Sequence, residues 1–586
     1  MEIKRLFVAI ILSALLLFGF EYFIPSQTQK NVQKDIAQTS KNIPAGFNQA
    51  AVNKAPMAGL SSQPVSTPSP ESESRIPIEG DRVKGTIDLR GAKLDDLLLT
   101  DYHETVKDNS PLVRVLSSFH GKQPNYVEIG WVRGAGDTTK LPDEHTLWKT
   151  SGTKLTPTTP LILTWDNGEG VEFEIKLLLD HNFMFTVNQT VKNTTAKPIT
   201  LFPYSRVSRG YTPVETGGYL VHEGPVGVID GRLQEESYKN LRKNATPPTN
   251  IAWNKQAMGG WSGITDKYWL TAVIPYQKDR VTTIYGYVPN EGAGTYKVGY
   301  TYQAPVTVSA GGSEQTKSYV FSGAKEVHLL ESYEKSLNIP SFWKAVDFGW
   351  FAFMTRPIFF VLDWLNTVLG NFGLALMAFT LIVKAIFYPL ASKQYHSMGR
   401  MKDLQPKMKS IRERFKDDPT AMNREVMMLY KKEGVNPASG CLPMLVQIPV
   451  FWSLYKDLYV TIEMRHAPFF GWIRDLSAPD PTNVFNLFGL IPWDPTTISP
   501  MLHLGVWGIL FGITMFFQQK LNPAPVDPVQ QRMFQIMPLV FTFILASQPA
   551  GLVIYYCWNN FLSILQQKLI MHRSTKRKGL VTTEKN

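Results

Sequence analysis

A chain of 586 residues exceeds what one hydrophobic core usually serves, so at least two domains are expected; 44% hydrophobic and 12% aromatic residues suit a protein lying partly in a membrane. A mean hydropathy of −0.12 excludes a molecule made of spans alone. The net charge of +11 gathers beside apolar segments, which favours anionic phospholipids over DNA as the counter-charge, and two cysteines, Cys441 and Cys557, exclude a disulfide framework or zinc spacing.

Residues 6–24 form an apolar run behind Lys4 and Arg5, with no small-residue cleavage site after it. Residues 1–24 therefore read as a retained membrane anchor, its amino end inside and the following chain outside. Residues 25–80, rich in Ser, Gln, Pro, Asn and Ala, read as a flexible linker.

From 81 to 339 the pattern is β. Val171, Phe173, Ile175 and Leu177 alternate with Glu172, Glu174 and Lys176, the period of a half-buried strand. Asp166-Asn167-Gly168 and Asp180-His181-Asn182 punctuate this stretch as turns, giving an antiparallel meander within a large all-β sandwich. His103, His120, His145, His181 and His222 lack metal-ligand spacing, and neither a nucleophile elbow nor HExxH occurs, although a carbohydrate-binding cleft stays open as a reading.

Residues 340–370 are apolar and aromatic but interrupted by Lys344, Asp347, Arg356 and Asp363. Crossing here would put the basic stretch after residue 390 on the outside, so an amphipathic helix in the outer interface is expected. Residues 372–390 form a span with one internal cation, Lys384. Such a lysine costs ~2.5 to 3.5 kcal/mol on insertion scales, so it needs a wet cavity, a partner or a short reach to the surface. Snorkelling is the simplest answer. Thr380 at i−4 and Tyr388 at i+4 place two hydroxyls on the same helical stripe, which favours a wet groove within a bundle.

Residues 391–438 form a basic helical hairpin on the cytoplasmic side. Met401, Leu404, Met408, Ile411 and Phe415 recur at helical spacing, and Asp418-Pro419 starts a second helix carrying Met422, Val426 and Leu429. Its methionines read as core filler ahead of a docking surface for varied apolar clients. Further spans are expected at about 441–462, with Gln447, and at 501–520, 533–547 and 551–571. The last carries Tyr556, Asn560 and Ser563 on one face. Residues 572–586 form a basic cytoplasmic tail, and six spans with both termini inside satisfy the charge rule.

The segment around Lys384, with QYHSMGRMKDLQPKMKSIRERF, LYKKEGVNPASGCLPMLVQIPVFWSLY, RHAPFFGWIRDLSAPDP and DPVQQRMFQIMPLVFTFILASQPAGLVIYYCWNN, resembles the YidC/Oxa/Alb family of membrane protein insertases in its Gram-negative long form. The resemblance implies a multi-domain membrane protein whose α-helical core has five of the six spans around a hydrophilic groove, with a periplasmic β-supersandwich domain. It also implies insertion and chaperoning of nascent inner-membrane proteins, alone or with the Sec translocon (SecYEG, SecDF), with the ribosome as a further partner, no catalysis and no cofactor. Lys384 stands where the family usually has arginine, keeping the charge but giving up the planar fork. Lys384, Thr380, Tyr388, Gln447, Tyr556 and Asn560 are the expected groove residues; Arg400, Lys402, Met408, Arg412 and Arg414 are expected on the hairpin's docking face. From the residues alone, a secondary transporter and a membrane-anchored carbohydrate-binding protein remain alternatives.

Overall fold

In the first half of the chain, apolar side chains alternate with polar ones along strands, and the structure, a computed structural model, follows that period. It describes residues 74–583 apart from 215–220, 291, 293, 417, 436–441, 500–501 and 523–527. The expected anchor at 1–24 and most of the linker lie outside the described residues.

Strand Val171–Leu179 buries Val171, Phe173, Ile175, Leu177 and Leu179 while the residues between them stay partly exposed. It pairs antiparallel with Leu161–Asp166 and Met184–Asn193, Leu163 facing Ile175 and Ile175 facing Gln189. The first turn is closed by Asp166 Oδ1, which accepts from the Gly168 N–H at 2.7 Å, with Gly168 at φ 76°. That left-handed conformation is open to glycine at no steric cost.

Two sheets result. One has ten strands, its main path running 75–79, 83–88, 93–103, 125–133, 199–209, 295–302, 280–288 and 251–258; the other has nine, from 232–235 through 313–324 and 171–179 to 149–151. Both contribute to a single apolar cluster. The strand Arg75–Glu79 corrects the expected linker boundary at 80. It pairs with Val83–Asp88, and the Arg75 guanidinium grips the fully buried Asp95 carboxylate, so these residues belong to the sandwich.

A short helix α1 (Tyr238–Asn244) and a longer α2 (Val327–Leu337) complete this domain. The helical half then comprises α3 (Ala352–Leu369), α4 (Phe372–Ile386), α5 (Tyr388–Asp403), α6 (Gln405–Arg414), α7 (Pro419–Lys432), α8 (Leu442–Val460), α9 (Val506–Leu521), α10 (Pro528–Ala546) and α11 (Ala550–Thr583).

The expected single helix over 372–390 is corrected: α4 ends at Ile386, and α5 starts at Tyr388 with a bend of 68°. Pro389 explains the break, because its ring clashes with the carbonyl four residues back, its nitrogen donates no hydrogen bond, and it disfavours helical geometry in the residue before it. No single helix among the described residues is both long and apolar enough to cross a bilayer, whereas this bent pair meets that measure jointly.

In the stretch expected to hold an amphipathic helix, α3 turns its charges toward the β domain. Arg356 pairs with Glu331 of α2, and Asp363 lies 2.9 Å from His328. Its inner side buries Ile358, Leu362 and Leu365, while Phe353, Val361, Trp364 and Val368 are exposed. Two of the charges that interrupt the apolar pattern, Arg356 and Asp363, thus have partners in α2.

Candidate functional site

α4 starts at Asn371, whose side chain accepts from the Leu374 N–H at 3.1 Å. Its buried residues Phe372, Ala375, Leu376 and Phe379 share one cluster with Ile358 and Leu362 of α3, Val450, Leu454 and Leu458 of α8, and Leu552 and Tyr555 of α11. This packing orients the last turn of α4, where Lys384 sits.

Lys384 reaches α11: its Nζ donates to Ser563 Oγ at 2.7 Å. Ser563 in turn donates to the Asn559 carbonyl at 2.7 Å, leaving its oxygen lone pairs to the ammonium. Among the described residues no carboxylate pairs with Lys384, so its charge is met by a neutral dipole. The environment is partly buried and the cation is uncompensated, a condition that attracts negative charge.

The polar stripe of α11 extends on both sides of this contact. Asn560 Nδ2 donates to Thr514 Oγ1 of α9 at 3.3 Å, and Gln567 Nε2 to the Leu521 carbonyl at 3.1 Å. Asn559, Asn560, Ser563 and Gln567 are all buried. The Gln447 amide of α8 bonds the Tyr555 hydroxyl, and the neighbouring Tyr556 ring lies between Phe451 and Phe511 at 5.1 and 5.7 Å. Lys384, Gln447, Tyr556 and Asn560 therefore lie on α4, α8 and α11, all within contacts converging on α11.

The other two expected groove residues behave differently. Thr380 is buried, and its hydroxyl donates to the Leu376 carbonyl at 2.7 Å, within its own helix. Tyr388 lies past the bend and is 41% exposed. The i±4 stripe joining Thr380, Lys384 and Tyr388 assumed a continuous helix, and the break at Phe387 removes that premise. Ser563 was read as part of the polar face with Tyr556 and Asn560, though not among the named groove residues; Gln567 was missed, and its place seven positions after Asn560, continuing the same face, was the available signal.

In the hairpin, Leu404, Met408, Val426, Tyr430 and Val435 form a small core of their own. Met408 is a correction to the expected docking set: it is buried, and its sulfur accepts from the Tyr430 hydroxyl at 3.0 Å. Met427 and Met428 are the exposed methionines. Arg400, Lys402 and Arg414 face solvent, Arg412 is half-buried, and Asp418 caps α7 by accepting from the Thr420 and Ala421 N–H groups, each at 3.0 Å.

A charged seam joins the helices to the β domain. Lys456 of α8 pairs with Asp347 at 3.1 Å, Glu463 accepts from the Val327 N–H at 2.8 Å, and Arg465 donates to the His103 carbonyl at 2.7 Å. Asp457 is fully buried, and neither of its carboxyl oxygens has a hydrogen-bond partner among the described residues.

Residues 364–578 match the family model described as 60Kd inner membrane protein, and residues 75–361 match that of the YidC periplasmic domain. The membrane protein insertase YidC of Granulibacter bethesdensis is 52% identical over 579 residues, covering 98% of each chain. The chain belongs to the YidC family of membrane protein insertases. The YidC insertase of Acidiphilium cryptum is 48% identical over 85% of this chain and 84% of its own. A crystal structure titled as an active YidC insertase with its first transmembrane domain resolved aligns over 84% of this chain and 92% of that one, at 18% identity and a TM-score of 0.36. YidC membership makes the activity the non-enzymatic insertion of proteins into a membrane, and it decides against the transporter and carbohydrate-binding readings.

Proposed function

We propose that the polar contacts around Lys384 form the groove through which this insertase receives its clients. The observation that carries this reading is a cation in the helical core whose recorded partner is a serine hydroxyl on a different helix. An acidic segment of a nascent inner-membrane protein supplies the missing counter-charge there, while its apolar helix partitions into lipid at roughly 0.8 kcal/mol per buried CH₂. The membrane potential adds ~2.3 kcal/mol per charge per 100 mV to outward movement of acidic residues.

The remaining parts fit around that step. Arg400, Lys402, Arg412 and Arg414 on the hairpin meet the client, the ribosome or anionic phospholipids first, and the Sec translocon (SecYEG, SecDF) shares some clients. Six spans in the inner membrane put both termini in the cytoplasm and the β domain in the periplasm. Supporting this setting, α9 and α10 expose Leu510, Ile513, Phe517, Ile536, Leu539 and Val540, an apolar surface that suits acyl chains. At ~1.5 Å per residue α9 is about 24 Å long, shorter than a typical hydrocarbon core of ~30 Å, so a thinned bilayer around it shortens the polar segment's path.

The test is insertion of a single-span client with an acidic tail into vesicles containing the purified protein. Lys384→Arg retains insertion, Lys384→Ala lowers it several-fold, and a client with a neutral tail responds less to either change. Equal insertion of the acidic client by all three proteins removes Lys384 from the mechanism.

A further inference from the structure

The connection between α8 and α9 contains a closed apolar loop. Residues 482–493 include no Asp, Glu, Lys or Arg. Yet Leu487 is 52% exposed, Phe488 57% and Leu490 83%, with Phe485, Ile491 and Trp493 also exposed.

The loop is built to hold these side chains out. Much of its backbone bonding is internal: the Phe488 N–H donates to the Asn483 carbonyl at 2.8 Å, and the Ile491 N–H to the Asn486 carbonyl at 3.1 Å, while the Val484 N–H ties the loop to the Leu504 carbonyl at 2.9 Å. Asn486 closes the ring, its Oδ1 accepting from the Gly489 N–H at 2.9 Å and its Nδ2 donating to the Trp493 carbonyl at 3.2 Å. Leu487 and Phe488 are held at φ 50° and 59°, a region that bulky residues rarely adopt. A strained turn carrying bare leucine and phenylalanine has no use in water.

Its base is fixed to the helical core. Asp480 accepts from the Trp507 N–H at the start of α9 and from the Trp472 indole, each at 3.0 Å. Thr482 Oγ1 accepts from the Val506 N–H at 3.0 Å. The loop is thereby held at the start of α9, which exposes Leu510 and Ile513 about one and two turns further on. The segment leading to the loop touches the β domain through Arg465 and His103, which fixes the side of the bilayer.

We infer that residues 483–493 are a wedge inserted into the boundary of the membrane leaflet facing the β domain, its partner being phospholipid acyl chains. Lipid fits better than a protein partner on three grounds. Several of the loop's backbone groups bond within it, which lowers the cost of leaving water. Trp493 ends the apolar stretch and Trp472 stands at its base on Asp480, both exposed, and indoles anchor at a bilayer boundary. The loop is also anchored at the start of α9, whose exposed Leu510 and Ile513 suit acyl chains. Asp494, which caps the next turn through Thr496, marks the return to water.

The inference depends on the membrane setting and not on the Lys384 groove. Its test uses the full-length protein in phosphatidylethanolamine and phosphatidylglycerol vesicles, with Cys441→Ser and Cys557→Ser and a nitrobenzoxadiazole label on Leu490→Cys or Thr496→Cys. At 490, nitroxide-labelled acyl chains quench at least threefold more than aqueous iodide; at 496 the order reverses. Equal iodide quenching at the two positions, without acyl-chain quenching at 490, overturns the inference. A second measurement keeps both cysteines and places benzoylphenylalanine at position 490 in cells. A phospholipid adduct supports the wedge, and an adduct with another protein overturns it.

Discussion

Burial of Glu463, beside the last turn of α8, pushes its carboxyl up to about 7, even though it accepts a hydrogen bond from the first N–H of α2. A carboxyl raised in the folded state contributes stability that is complete below its ordinary value of 4.5 and is lost as pH rises through about 7. Thermal unfolding of the protein in lipid nanodiscs at pH 5 and pH 8 measures this: the natural protein loses up to roughly 3 kcal/mol from this group, at ~1.4 kcal/mol per pH unit, and Glu463→Gln flattens that dependence. Lys384 was legible in the sequence as a lone cation in an apolar run, because charge there is costly. Its partner Ser563 was legible only as one of three polar residues on a face, with Tyr556 and Asn560, since spacing defines the face of a helix but not which of its residues a helix 179 positions away will meet. Met408 was read correctly as filler by its apolar spacing and wrongly as part of a docking face by its basic neighbours; the Tyr430 hydroxyl on its sulfur places it inside.

Pro389 governs the largest departure among the elements. A straight helix over Phe372–Asp403 would reach about 48 Å by helical rise, whereas the same residues bent by 68° span roughly 38 Å. Pro389→Ala returns the missing N–H and removes the ring clash, so spin labels placed at residues 374 and 402 move apart by up to about 10 Å when measured by pulsed dipolar spectroscopy. An unchanged distance assigns the bend to packing against α8 and α11 instead. The strands were far easier to read than the helices. A period of two with one buried face fixes register, as in Val171–Leu179, while apolar runs lined on several sides by other helices carry no face to count from. The charges of α3 pointed to an amphipathic helix but not to its partners: Arg356 and Asp363 meet Glu331 and His328 of α2.

For the molecule as a whole, α2 matters more than the sheets before it. It lies at the end of the β domain in sequence, but Arg356, Asp363 and Glu463 all reach it from the helical side. Deleting residues 75–325 therefore preserves most insertion, and deleting 75–339 abolishes it by leaving the buried Glu463 carboxyl and the Arg356 guanidinium without their partners. Insertion by vesicles containing each truncated protein distinguishes the two; equal activity would show that α2 is dispensable. The domain order was legible because composition changes sharply, whereas the seam was not, since its contacts join residues such as Arg465 and His103, 362 positions apart. The apolar cluster of the sandwich continues through Phe359 of α3 to Val460 at the end of α8 and Ile462 just after it. Torque applied to the sheets is thereby passed directly to the bundle: the β half is no pendulum on a string, and a reporter dye rigidly bound to it will tumble at the rate of the whole embedded particle.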